Sequence, residues 1–166
     1  MKKIIGSLVI FFATINFSLG QKPKASPKES VTGKINTATI SIDYGSPSVR
    51  RRKIWGALVP FDKIWRAGAN EATTFETDKD LIVEGEKLPA GKYSLFIIPN
   101  EKECIVIFNK KSDQWGAYNY SKDLDQLRVE VSPKEETKSA EKLLFIVKDN
   151  EVALLWDNWV IALKVK

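Results

Sequence analysis

Apolar and polar residues alternate with a period of two in one short stretch after another, the pattern of half-buried strands. Residues 30–35 and 38–44 alternate in this way. The second stretch puts Ile40, Ile42 and Tyr44 on one face before Gly45-Ser46-Pro47 ends it with turn chemistry. Residues 73–77 and 80–84 read as two more strands. Residues 92–98 and 104–109 are apolar at consecutive positions, and strands apolar on both faces belong in the middle of a sheet. Pro99 and the polar loop 100–103 make these two a hairpin. Residues 127–131 set Leu127, Val129 and Val131 against Arg128 and Glu130. After a charged connection at 132–141, strands are predicted at 142–148, 152–156 and 159–165, with Asp149-Asn150 and Asp157-Asn158 at the tight turns. About ten short strands and almost no helix predict an all-β chain. Its expected form is a single antiparallel β-sandwich or jelly-roll-like domain with one long irregular loop region around residues 45–72.

The N-terminus predicts delivery rather than fold. Met1-Lys2-Lys3 precedes an apolar run at 4–13, and Ser18 and Gly20 occupy the −3 and −1 positions before Gln21. That order is a secretory signal peptide, expected to be cleaved after residue 20. The run is short for a membrane span and no cysteine follows the cleavage region, so no stable anchor is expected once the leader is gone. The expected location is periplasmic or extracellular. Residues 21–29 read as a Pro- and Lys-rich flexible tether, and 30–166 as the domain. The formal charge of +5 falls to +3 without Lys2 and Lys3, with acids interleaved among the bases, which speaks against a nucleic-acid partner.

Composition then narrows the chemistry. There is no histidine, which removes Ser-His-Asp and Cys-His catalysis and histidine metal sites. Cys104 is the single cysteine, so no internal disulfide forms, and its apolar strand predicts a buried thiol rather than a nucleophile. No Asp-x-Asp-x-Asp-Gly spacing marks a calcium loop. The expectation is no catalytic residue, no metal and no cofactor.

The densest polar chemistry lies at Trp65-Arg66-Ala67-Gly68-Ala69-Asn70-Glu71-Ala72-Thr73. Arg66, Asn70 and Glu71 are candidate ligand-binding groups, with Trp65 as an aromatic floor and Gly68 allowing close backbone approach. A polar network pinning an irregular segment is the competing reading. Arg52, in the basic run 50–53, joins the candidates as an anion-facing group, with a solvated loop as the competing reading. Trp115, Tyr118 and Tyr120 form a second set, with Tyr118 and Tyr120 on one face of an extended segment, suited either to binding a carbohydrate or peptide or to covering one end of the core.

Tyr44-Gly-Ser-Pro-Ser-Val-Arg50, Lys53-Ile-Trp-Gly56, Leu58-Val-Pro60, the 65–73 string, Leu88-Pro-Ala-Gly-Lys-Tyr-Ser-Leu95 and Trp115-Gly116 occur in this order. In these motifs the chain resembles a secreted bacterial family of unknown function, numbered twenty-nine eleven, over about residues 26–166. The resemblance implies an exported β-rich domain and assigns no activity. The family pattern favours glycine where this chain has Arg51, and tryptophan where it has Cys104. Three functions stay open: a binding module for a glycan, peptide or small anionic ligand, a carboxylate-based carbohydrate hydrolase pairing Glu71 with Asp43 or Asp123, and a structural domain docking on an envelope protein.

Overall fold

The computed structural model describes residues 25–166; the expected leader and the first part of the tether lie outside them. The described chain is all-β, with strands β1 (Lys28–Ile35), β2 (Ala38–Gly45), β3 (Thr73–Thr77), β4 (Leu81–Val83), β5 (Glu86–Leu88), β6 (Gly91–Ile98), β7 (Cys104–Asn109), β8 (Asp125–Val131), β9 (Lys134–Lys148) and β10 (Glu151–Lys164). One antiparallel sheet runs β1-β2-β3-β6-β7-β8. The β6–β7 hairpin lies inside it, as its two apolar faces require.

β9 and β10 pair in a second layer. The β4–β5 hairpin joins that layer where Ile82 N donates to Lys166 O (2.8 Å) and Lys166 N returns the bond to Ile82 O (2.9 Å). β10 also folds back on itself. Its 14 residues would span roughly 45 Å if straight. Yet Val165 N donates to Asn150 O at 2.8 Å, joining its two ends. The reversal falls at Asp157, whose φ of 52° matches the 53° of Asp149 at the preceding turn. The turn expected at Asp157-Asn158 is therefore present inside one continuous strand.

Between the layers, Leu95, Ile97, Val106 and Phe108 of the large sheet meet Phe145, Leu154, Ile161 and Leu163. The other face of β6–β7 presents Phe96 and Ile107, which pack with Ala72 beneath Ile64, Ala117 and Tyr120. The long loop and the 110–121 segment thus roof the sheet. An aromatic cluster closes the 45–72 region: Trp55 stacks on Trp159 (centroids 4.5 Å) and meets Trp65 and Trp156 edge-on.

Several boundaries differ from expectation: β5 lies where a turn was expected, the strands expected at 152–156 and 159–165 are continuous as β10, and β9 and β1 start early. Residues 134–141 belong to β9 rather than to a charged connection. Their side chains are nearly all exposed, so backbone pairing to Trp159 and Val160 holds them and no apolar period marks them. β1 starts at Lys28, inside the stretch expected to be tether.

The two departures from the family pattern have structural readings. Arg51 sits at φ 58°, a left-handed conformation that glycine adopts freely and an L side chain adopts at a cost. Arg51→Gly is expected to raise stability by about 0.5–1 kcal/mol, the relief of that strain exceeding the added chain entropy. A urea melt in which this variant is less stable than wild type would refute the strain. Cys104 is fully buried, its Sγ 3.5 Å from Asn100 O, and burial raises its pKa, as an inert core thiol requires.

Candidate functional site

The 65–73 string is a loop extruded from a strand position. Trp65 exchanges both backbone hydrogen bonds with Ile97 of β6 (2.8 Å each), and Thr73 pairs with Leu95 on the same strand. Both ends of the excursion therefore lie along the same flank of β6. Its neck is pinched by Thr73 N to Arg66 O (3.2 Å) and Thr73 Oγ1 to Ala67 O (2.9 Å). Ala67 (φ 52°) and Asn70 (φ 65°) supply the left-handed turns. Ala67 is fully buried while holding that conformation, so the surrounding packing enforces it.

Two clefts flank this loop. The first, about 220 Å³, is lined by Arg52, Leu58, Val59, Trp65, Arg66 and Trp156, together with Ser26, Pro47 and Gly68-Ala69. Arg66 is half-buried, and among the described residues its guanidinium makes no hydrogen bond and no ion pair; its Nε is fully buried without a partner. Arg52 folds onto its own loop, donating to Val49 O (3.1 Å) and Ser48 O (2.6 Å), and among the described residues it has no carboxylate partner. Among the described residues, no acidic side chain lines this cleft. The second cleft, about 400 Å³, lies on the polar outer face of the large sheet, lined by Lys28, Asp43, Glu71, Lys92, Asp113 and Gln114 among others.

The candidate residues thus separate. Trp65, Arg66 and Arg52 share the first cleft, whereas Glu71 is exposed and lines the second. Asn70 serves the fold: its Nδ2 donates to Ser26 O at 3.0 Å, tying the loop to the lead-in of β1. Trp65 stacks on Trp156 and donates Nε1–H to Gly68 O, so it walls the cleft instead of presenting an open platform. Of the carboxylates considered as partners for Glu71, Asp43 lines the same cleft; Asp123 sits in the 3-10 turn Lys122–Leu124 and does not.

The aromatic loop separates too. Gly116 N donates to Asn70 O (3.1 Å), fastening it to the extruded loop. Trp115 and Tyr118 are exposed, at 54% and 85%. A Cβ built on Gly116 would lie 3.0 Å from the Tyr118 ring and 3.9 Å from Arg66 Nη1, so these groups converge over that glycine. Tyr120 does not share their surface. It packs edge-on against Phe96 and donates to Asp125 Oδ2 (2.7 Å), which Arg128 also binds. Burial first, and the Asp125 carboxylate second, raise its pKa. An extended segment would have kept Tyr118 and Tyr120 together; residues 116–119 turn instead. Sequence reasoning missed Gln114, Asp113 and Trp156, which carry no spacing signal and reach the clefts only through the fold.

The architecture defines an antiparallel all-β sandwich domain whose polar chemistry is gathered around one pinched loop. The chain belongs to the family described as "Protein of unknown function (DUF2911)", whose model matches residues 26–165. No curated protein and no solved structure is significantly similar to it.

Proposed function

We propose that the domain is a binding module for a small anionic ligand, held in the cleft between Arg52 and Arg66 on the Trp65–Trp156 wall. One observation carries this reading: the half-buried guanidinium of Arg66, with its Nε sealed from solvent, has no acceptor among the described residues. A half-buried guanidinium without an acceptor is costly, and a carboxylate or phosphate at its Nη atoms, which are not sealed, would supply charge-assisted bonds. The indole walls suit a ligand with a flat or ring-shaped apolar face. Exposed Trp115 and Tyr118, the latter beside Arg66 over Gly116, extend that surface toward a sugar-sized ligand. The described residues place no carboxylate and so no acid–base pair in this cleft, which favours binding over hydrolysis there. The leader expected at residues 1–20 supports an extracytoplasmic setting.

The test is a tryptophan-fluorescence titration with inorganic phosphate and with glucuronate, wild type beside Arg66→Gln. Saturable binding that Arg66→Gln weakens about tenfold or more is expected, since a hydrogen bond to a charged group contributes about 1.5–3 kcal/mol. Affinity should also fall as salt is raised. Equal binding by both proteins, or no saturation with either anion, would remove the proposal.

A further inference from the structure

The lead-in to β1 is held by its backbone. Ala25 and Pro27 are exposed and Ser26 is half-buried, so little apolar surface fixes this segment. Instead, each of its three consecutive carbonyls is taken by a donor. Arg50 Nη2 donates to Ala25 O (3.0 Å), Asn70 Nδ2 to Ser26 O (3.0 Å) and Ser46 N to Pro27 O (2.8 Å). Ser46 and Arg50 lie on the loop that carries Arg52, whereas Asn70 lies on the loop that carries Arg66. Ser26 itself lines the cleft between those arginines. Residues 25–27 are therefore a strap that fastens the two arginine-bearing loops to each other along the anion cleft. The loops also meet where Ala69 N donates to Gly45 O (3.1 Å). That bond is one attachment; the strap adds others, and together they hold the spacing of Arg52 and Arg66.

We infer that this strap sets the anion affinity of the cleft, so that holding or releasing the lead-in controls binding. The inference rests on the anion-site reading above. An anion bridging Arg52 and Arg66 favours the same spacing of the two loops as the docked strap does. Each therefore strengthens the other, and by the same factor. The strap is also poised to move. Ordering three residues costs backbone entropy comparable with what three hydrogen bonds return, and segments with few buried apolar contacts open first. The chain runs from the strap into residues 21–24, expected from sequence to be tether, so a pull along the tether reaches the cleft through these three carbonyls.

The experiment measures two things on the same proteins: inorganic phosphate binding by tryptophan fluorescence, and the rate at which trypsin cuts after Lys28. That cut requires residues 25–27 to leave their clamps and extend in the protease. Asn70→Gly removes the Ser26 clamp and keeps the left-handed backbone that position 70 adopts (φ 65°). In wild type, saturating phosphate should slow the cut about fivefold. Asn70→Gly should speed the cut without phosphate and weaken phosphate binding about fivefold, the effect of one neutral hydrogen bond. Arg50→Gln, which removes the clamp on Ala25 from the opposite loop, should reproduce both changes. Arg66→Gln should be cut like wild type without phosphate and lose the protection by phosphate. Saturable phosphate binding with a cutting rate that phosphate leaves unchanged would overturn the inference and leave the anion site standing. So would wild-type affinity in both clamp variants. Absence of saturable phosphate binding in wild type would remove the anion site and this inference with it.

Discussion

Gly45→Ala is expected to cost the domain about 3 kcal/mol or more, well above an ordinary single substitution. The reason is space, not backbone freedom. A Cβ on Gly45 would fall 2.1 Å from Ala69 O and 2.9 Å from Ala69 C. Both obstructing atoms are backbone, so no rotamer change relieves the clash. The methyl has to push the extruded loop off the end of β2. That motion breaks the hydrogen bond from Ala69 N to Gly45 O (3.1 Å) and strains the one from Asn70 to Ser26. It also moves Arg66, three residues earlier in the same loop. Two readouts should therefore change together: the urea midpoint falls, and anion affinity falls even in protein that is still folded. A loss below about 1 kcal/mol would mean the loop yields freely, and would sink the picture of a rigid seam between the two clefts.

That seam marks the limit of what the residue pattern made legible. Alternation located the strands because each had one face on a core, and the doubly apolar 92–98 and 104–109 stretches announced a central hairpin. Asp157-Asn158 was legible as a turn because its residue types tolerate left-handed backbone. The first half of β9 was not, since an exposed strand of Lys, Glu, Thr and Ser is held by its neighbours and leaves no period. The candidate site was legible as a place and not as an arrangement. Arg66 and Glu71 lie close in sequence, yet two left-handed residues send them to opposite clefts. One of those residues is Ala67, whose type argues against such a conformation. Gln114 looks like any polar loop residue until the fold buries it and commits one end of its amide.

The tryptophan wall sets the second large effect. Trp156→Ala is expected to destabilise by about 3–5 kcal/mol, on the order of 10 °C in melting temperature. Trp156 is 1% exposed, stacks on Trp65 at 5.8 Å and meets Trp55 edge-on at 6.0 Å, so truncation leaves a void that three elements would have to collapse to fill. Trp156→Phe separates packing from polarity. The indole Nε1 is buried with no acceptor, a cost already borne by the native fold. A phenyl ring removes that orphan donor while keeping most of the apolar contact, so this variant should lose far less than the alanine one. Tyr118→Ala, at a position 85% exposed, should change stability by no more than about 0.5 kcal/mol and serves as the surface reference. Since Trp156 also walls the Arg52–Arg66 cleft, its removal should loosen anion binding beyond the stability loss, and Trp156→Phe should restore part of it. If Trp156→Ala melts within a degree or two of wild type, the aromatic cluster is not a packed core and the cleft it borders has no rigid floor.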